Sequence, residues 1–325
     1  MSAPSPQSGS LTCTHACSDG SGWFGVGRGA PSLATIRRVV LGVDADLLDA
    51  VLTAWVTARA SRHRSGGDLM CVAVDPKSAR GARRADGRPV HLVAAAPHTT
   101  GVVRGQVAVD AKSNEITAFE PLLDRLDLTG VVVTADAMHT QDAHARYLHR
   151  RGAHYVLIAK ANRPTLVREL TALPWADVQV AATSREHRSR AGRDPYDQSR
   201  AATAAAVVPP RPPGDPPATP TPRPRREGPG RDRLRSHRPR LRQASAAQLA
   251  QVIRGHWTIE NQVHHVRDVT YDEDRSQTRT GASAQVMATF RNVAISLHRL
   301  AGATTIAQGT RAIMRRPERI WPLIT

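Results

Sequence analysis

The sequence predicts an α/β protein in which a mixed β-sheet carries helices on its faces. The chain has 325 residues and is 40% hydrophobic, which is enough for a sizeable core. Three short apolar runs typical of strands come first, and helical and strand patterns alternate after them. A small helical region precedes this pattern, and a long Arg/Pro-rich segment without periodicity interrupts it.

The N-terminal part is predicted to hold a disordered leader and two helices. Residues 1–22 are rich in Ser, Gly and Pro and lack apolar periodicity. Within residues 23–66, Ser32 can cap one helix, and a second helix begins at about Asp46 with apolar residues at helical spacing. These helices are expected to form a small N-terminal pack.

The first part of the sheet domain is assigned to residues 67–182. Its apolar runs predict three strands, a helix from about Asn114, and then alternating strands and helices. The predicted strands cover 69–75, 89–96, 101–109, 131–136 and 154–160, and the later helices run from Gln141 to about Arg151 and from Thr165 to Leu173. The order β-β-β-α-β-α-β is that of an RNase H-like core.

Residues 183–243 are predicted to be a disordered Arg/Pro-rich insert, because no core can be built from their composition. Residues 244–325 are assigned to the second part of the sheet domain, with C-terminal helices. Ser245 can cap the first of these helices, and a later one starts near Ala284 and ends at Gly302.

The charge of the chain favours a polyanion as partner. The net charge is +17 and the sequence pI is near 11.3, a balance that supports phosphate neutralisation by Lys and Arg. About half of this surplus lies in residues 185–242, which hold 15 Arg, no Lys and six acids. No apolar run of about 18 residues and no signal peptide is present, so a membrane protein is not indicated and the cytoplasm is expected.

Three carboxylates are candidates for the chemistry. Asp75 and Asp136 each end an apolar strand, and Glu260 lies on a helical stripe with His264 and Trp257, the latter assigned to the core. A buried ionised carboxylate needs a cation or a metal as its partner. Two Mg²⁺ ions held by such oxygens can activate the attacking oxygen and stabilise the leaving oxygen of phosphoryl transfer. Taken singly, a strand-end Asp is more often a turn or cap residue.

Several long strings resemble the H-repeat-associated DDE transposases of bacterial insertion sequences. They are VDPKSARGARRADGRPVHLV, VDAKSNEITAFEPLLDRLDLTGVVVTADAMHTQ, RGAHYVLIAKANRPTL and RGHWTIENQVHHVRDVTYDEDRSQTRTG. The resemblance covers residues 24 to about 180 and 244–325, which is most of the chain. It is specific, since the strings match in order and contain far more than three acids.

The resemblance implies an RNase H-like transposase in which Asp75, Asp136 and Glu260 take the DDE roles. These carboxylates would bind Mg²⁺ or Mn²⁺ for strand nicking and end joining on DNA, with transposon ends and target DNA as partners. Synapsis of two ends requires at least a homodimer. The expected location is the cytoplasm, in association with the nucleoid.

Residues near the three acids are candidate DNA contacts. In relatives of this broad group a Tyr, an Arg and a Lys flank the last acid, and those places hold Ile253, His256 and Arg267 here. Arg267 can contact phosphate and His256 can contact DNA, with a solvated face or simple packing as the alternatives. His139 is a contact to the metal site or DNA, or a structural histidine. Lys160, at the end of a predicted strand, is a further candidate DNA contact.

Three other positions near the predicted acids, Pro76, Asn114 and Glu115, are expected to have structural effects. Pro76 replaces the Gly that the family usually has after the first acid, which removes a backbone donor and fixes φ beside a metal ligand. Asn114 and Glu115 are interpreted as helix-capping residues and not as catalytic ones.

A frameshift in the gene is one explanation for the Arg/Pro-rich segment. Family members carry an HGR…E.RT string and an ETVY-like string between the second Asp and the Glu, and neither is present in frame. Reading from the second base of each codon permits Val-Glu-Thr-Arg-Thr-Ile across Gly192 to Asp197 and Glu-Thr-Val-Tyr across Arg231 to Leu234. An authentic basic linker is the alternative. Three functions therefore stay open: an active transposase, an inactive remnant that only binds DNA, and an RNase H-like nuclease.

Overall fold

The computed structural model of the protein describes residues 31–61, 69–84, 86–109, 114–172, 205–206 and 244–324. The predicted leader and nearly all of the predicted insert, with the frameshift hypothesis that concerns it, lie outside these residues. Six strands are described: β1 (Cys71–Arg83), β2 (Pro89–Pro97), β3 (Gly105–Ala108), β4 (Val132–Ala135), β5 (His154–Ile158) and β6 (Ala205–Ala206). The α-helices are α1 (Leu33–Gly42), α2 (Ala45–Ser61), α3 (Glu115–Asp124), α4 (Asp142–Arg150), α5 (Pro164–Thr171), α6 (Ala246–Gly255), α7 (His265–Val269), α8 (Ser283–Leu300), α9 (Ile306–Arg315) and α10 (Trp321–Ile324).

The sheet has the strand order β3-β2-β1-β4-β5-β6. The first three strands form an antiparallel meander, whereas β4 is parallel to β1 and β5 is parallel to β4. β6, whose two residues fall in the segment predicted to be disordered, pairs antiparallel with β5. This mixed sheet with flanking helices confirms the predicted α/β, RNase H-like fold.

Each face of the sheet carries its own core, because successive side chains of a strand point to opposite faces. On one face, Val72 and Val74 of β1 pack with Phe119 and Leu122 of α3. On the other face, Ala73 packs with apolar residues from the segments that follow α6. Asp75 and Lys77 share the face of Ala73, so the sheet alternation directs Asp75 toward the second half of the chain.

Capping residues begin the helices where the sequence predicts. The Ser32 side chain accepts a hydrogen bond from the Thr35 N–H, and the Asn114 side chain accepts one from the Ile116 N–H. Ser245 and Gln248 form a reciprocal capping box at the start of α6. Gly302, with φ of 75°, follows the end of α8 as predicted.

A π-helical turn at Glu260–His264 joins the segment after α6 to α7. Such a turn holds more residues than an α-helical turn, so it rotates everything after it relative to an uninterrupted helix. The sequence pattern of threes and fours does not anticipate this rotation. Trp257, which the pattern assigns to the core, is 54% exposed, so that prediction is wrong.

The segment after the π-turn is held to the rest of the protein by a buried ionic cluster. Arg267 is fully buried and makes two hydrogen bonds to Glu273, of 2.8 and 2.9 Å. Its Nη1 also donates to Gln106 of β3 at 3.0 Å, and Asn292 of α8 donates to the same Gln106 oxygen. The cluster therefore connects the sheet, α7 and α8.

No described helix combines the length and the apolar character that a membrane crossing requires.

Candidate metal centre

Two of the predicted acids lie where the parallel ladder between β1 and β4 ends. Val74 of β1 pairs with Ala135, the last residue of β4, so Asp75 and Asp136 each follow a paired position at the same edge of the ladder. Pro76 lies beyond this ladder and pairs only with Val93 of β2. A missing backbone N–H is tolerated at such an unpaired strand edge, which explains how proline fits beside the first acid.

His264 contacts both the third predicted acid, Glu260, and the first, Asp75. Glu260 begins the π-helical turn, and His264 ends it. The His264 Nδ1 atom lies 3.1 Å from Glu260 Oε2 and 3.2 Å from Asp75 Oδ2. One ligand atom from each of the three residues falls within 4.8 Å of the others. This set of two carboxylates and one imidazole can hold a divalent cation.

Asp136 is held in place by the turn that follows it. Its side chain accepts a hydrogen bond from the Met138 N–H at 3.1 Å and so caps the short helical turn Ala137–His139. Burial raises the pKa of Asp136, and the negative charge of Asp75 raises it further. The two carboxyls are therefore close enough to repel each other, a repulsion that a bound cation would relieve.

Glu115, which the sequence assigns to helix capping, lies near enough to two of the acids for their charges to affect its pKa. Asn114 provides the side-chain cap of α3. The Glu115 side chain is 17% exposed, and burial and the charges of Asp136 and Asp75 raise its pKa. Its position in the first turn of a helix gives no sign of this proximity, which exists only in the folded sheet.

Lys77 is a second site neighbour that the sequence does not reveal. It lies two residues after Asp75 on the same face of β1 and is buried. Its Nζ atom forms a 2.6 Å ion pair with Asp268, and its charge contributes to a lowered pKa of Glu260, for which the hydrogen bond from His264 is the main cause. Lys77 therefore compensates part of the negative charge of the centre.

A chain of three side chains borders the acids. The Thr134 hydroxyl lies 2.9 Å from His98 Nε2 and 3.1 Å from His256 Nδ1. Burial lowers the pKa of His256, although the charges of Asp75 and Asp136 act in the opposite direction. Burial also lowers the pKa of His98, to about 4. The pair is thus neutral near pH 7, which suits two imidazoles that share one hydroxyl.

The predicted DNA contacts fall in different environments. Lys160 is exposed and close enough to influence the pKa of His256, so it remains a candidate contact at the rim of the site. His256 is 7% exposed. His139 has no exposed surface and stacks on Phe119 with ring centroids 4.9 Å apart, which favours the structural interpretation of this histidine.

Arg267 does not lie on the surface, where the sequence predicts it. The sequence places it on the surface of the helix beside Glu260, where it would meet phosphate, whereas the structure buries it against Glu273. The π-helical turn between the two residues rotates Arg267 away from the Glu260 face. The predicted phosphate contact is therefore replaced by an internal ion pair.

Gly255→Ala is expected to lower the free energy of unfolding by about 1–3 kcal/mol, as overpacked core substitutions do. A Cβ atom at Gly255 would lie 2.3 Å from His98 Nδ1 and would push His98 away from Thr134. Denaturant titration measures the effect. Gly42→Ala is the control, since a Cβ at Gly42 meets no atom within 4 Å. Equal effects of the two changes would show that the His98 contact is unimportant.

Comparison with known proteins assigns the family. The transposase DDE domain family model matches residues 66–297, which is more than half of the chain. The protein named "Putative transposase YncI" of Escherichia coli O157:H7 is 28% identical over 295 residues, covering 83% of this chain and 71% of that protein. The "H repeat-associated putative transposase YhhI" of Escherichia coli K12 is 26% identical and covers 89% of this chain and 78% of its own length.

Among solved structures, the chain is similar to a piggyBac transposase in a synaptic complex with hairpin DNA, with a TM-score of 0.40 and 9% identity. That match covers 87% of this chain, which spans 59% of the piggyBac chain. The likeness is too distant to add to the assignment. The family match and the relatives suffice: the chain belongs to the DDE transposase family and is related to the H-repeat-associated transposases.

Proposed function

We propose that the protein catalyses metal-dependent cleavage and joining of DNA strands, with Asp75, Asp136 and Glu260 as the catalytic carboxylates. The observation that carries this proposal is the placement of Asp75 and Asp136 directly after paired residues of two neighbouring parallel strands, with Glu260 linked to Asp75 by His264. Burial raises the pKa of Asp136, and the charge of Asp75 raises it further. Acids brought together against their own repulsion are typical of a site whose working state includes a cation.

The residues fit a divalent cation. Carboxylate oxygens suit Mg²⁺ or Mn²⁺, and the imidazole of His264 adds a nitrogen donor that Mn²⁺ also accepts. When bound, such ions supply activation of the attacking oxygen and stabilisation of the leaving oxygen. Asp75 contacts His264, which also contacts Glu260, and the charge of Asp75 raises the pKa of Asp136 beyond the effect of burial.

Other residues keep the carboxylates in place. His264 holds Glu260 against Asp75, and the Met138 N–H orients the Asp136 side chain. The overall charge of +17 favours binding of DNA, and the exposed Lys160 offers a phosphate contact at the rim of the site. Two copies of the chain would bring two DNA ends together for joining.

A strand-transfer assay on the element's own ends tests the proposal. Wild-type protein is expected to nick and join the ends with Mg²⁺ or Mn²⁺ and to be inactive with a chelator, and Asp136→Ala is expected to abolish both steps. Asp142→Ala is the matched control, because that aspartate is 73% exposed on α4 and pairs with Arg163.

The same assay separates the two alternatives. Binding of the ends without any cleavage by the wild type would favour the inactive remnant, which the Arg/Pro-rich composition of residues 183–243 supports. Cleavage without preference for the element's ends would favour an RNase H-like nuclease. Either result would overturn the proposed strand transfer.

A further inference from the structure

The two N-terminal helices leave much of their apolar surface uncovered. Eleven large hydrophobic side chains are exposed in the described part of the chain, and six of them lie within residues 33–51. These six are Leu33, Ile36, Val39, Leu41, Leu47 and Val51. Helix α1 has no buried residue at all. A helix of this length is marginal in water without tertiary packing, so a further surface is expected to cover this region.

Helix α2 carries an apolar stripe on each of two opposite faces. On the inner face, Val56 and Ala60 are buried and pack with Val293 of α8. The outer stripe consists of four exposed residues at intervals of four, three and four: Leu47, Val51, Ala54 and Ala58. This is the spacing of the contact positions of a coiled coil. A helix that is apolar on both sides is typically buried on both, whereas the described residues cover only the inner face of α2.

The outer stripe is complementary to a second copy of itself in antiparallel orientation. With a two-fold axis at the middle of the stripe, Leu47 of one copy lies opposite Ala58 of the other, and Val51 lies opposite Ala54. Each larger side chain then meets a small one, which lets two helices approach closely without a gap. One patch therefore provides both sides of the contact.

The charges at the two ends of α2 favour the same orientation. Asp46 lies in the first turn of the helix and Arg59 in the last. Antiparallel pairing brings the acidic first turn of each copy to the level of the basic last turn of the other, and it sets opposite ends of the helix dipoles side by side. A parallel pair would bring like charges and like dipole ends together. The charge pattern thus selects a second copy of the chain as the occupant of this face.

We propose that the outer stripe of α2 is the contact surface of a homodimer, in which α2 packs antiparallel against α2 of a second copy about a two-fold axis. The stripe contains none of the residues of the metal centre, so the dimer forms without cation or DNA. Within the proposed function this contact would hold together the two copies that bring two DNA ends to one place.

Sedimentation of the full chain without metal or DNA tests the dimer. The wild type is expected at twice the chain mass of 35.1 kDa. Val51→Glu places two unpaired charges beside the two-fold axis and is expected to raise the dissociation constant by about a hundredfold or more. Val51 is 58% exposed in the single chain, so the variant is expected to fold, which circular dichroism checks. Met314→Glu is the control on α9, where the side chain is 76% exposed, and it is expected to stay dimeric.

Disulfide cross-linking tests the orientation. Leu47→Cys and Ala58→Cys chains are mixed, each also carrying Cys13→Ser and Cys17→Ser, while the remaining Cys71 is buried. Oxidation is expected to link the two kinds of chain to each other, because the antiparallel contact sets position 47 opposite position 58. Within either homodimer the two cysteines are separated by about 16 Å along the helix axis, whereas a disulfide requires Cα atoms within about 7 Å.

Two results would overturn the proposed contact even if the protein is dimeric: a Val51→Glu dimer as stable as the wild type, or cross-links that join only chains of the same kind. A monomeric wild type would overturn the dimer itself. If Val51→Glu then also unfolded at a lower temperature than the wild type, the chain's own residues 1–30 would be the occupant of the stripe. None of these results bears on the proposed metal-dependent reaction, which the strand-transfer assay tests separately.

Discussion

Arg267→Met is expected to lower the free energy of unfolding by about 3–5 kcal/mol, the scale of breaking one buried ion pair. The guanidinium has no exposed surface and donates to both oxygens of Glu273. Burial alone would raise the pKa of Glu273, but Arg267, aided by Arg291, lowers it. Without Arg267 the carboxylate keeps only its 3.1 Å contact with Arg291, and the Gln106 oxygen loses one of its donors.

Urea titration of the metal-free protein measures this loss. Arg275→Met is the control, because Arg275 is 85% exposed and its pair with Asp272 is worth at most about 1 kcal/mol. The double change Arg267→Met with Glu273→Leu is expected to recover part of the stability, since it leaves no buried charge without its main partner. A stable Arg267→Met protein with weakened DNA binding would restore the surface role predicted from the sequence.

Asp75→Asn is expected to slow DNA cleavage by about a thousandfold or more, which corresponds to several kcal/mol of lost transition-state stabilisation. Asp75 is the carboxylate that touches His264 and whose charge raises the pKa of Asp136 and Glu115. The amide is a much weaker ligand for a hard cation and carries no charge to balance it. The proposed metal centre loses one of its carboxylate ligands.

The same change is expected to leave the metal-free fold at least as stable as the wild type, because it removes repulsion from Asp136 and Glu115. The rate of DNA cleavage is therefore expected to fall, while the midpoint of thermal unfolding stays the same or rises. Asp272→Asn is the control, since this exposed residue has φ of 50°, a conformation that asparagine tolerates. A variant that loses activity and stability together would indicate a structural role for Asp75.

The sequence predicts the first two acids because their positions depend on local pattern. Apolar runs mark the strands, and a polar residue directly after such a run lies at a strand end, as Asp136 does. The predicted first strand is too short, however: β1 continues to Arg83 and carries Asp75 within it. Pairing with β2, which the local sequence cannot show, extends the strand.

Residues brought in from distant segments could not be predicted in this way. Glu115 looks like a cap because only the closed sheet places it near Asp136. His264 lies on the expected stripe, but its contact with Asp75 depends on the π-helical turn. The same turn makes the prediction for Arg267 wrong, since periodic spacing assumes a uniform helix.

The ionic cluster around Arg267 affects how the protein tolerates insertions and deletions in the segment between its two described parts. It ties Gln106, Glu273 and Asn292 together through side chains, and none of these described contacts uses a residue between 173 and 243. The position of Glu260 is thus set by docking of the C-terminal part and not by the length of the chain that leads to it. Insertions, deletions or a shifted reading frame in that interval are therefore expected to leave the contacts of this cluster intact, although they would affect the pairing of β6 with β5.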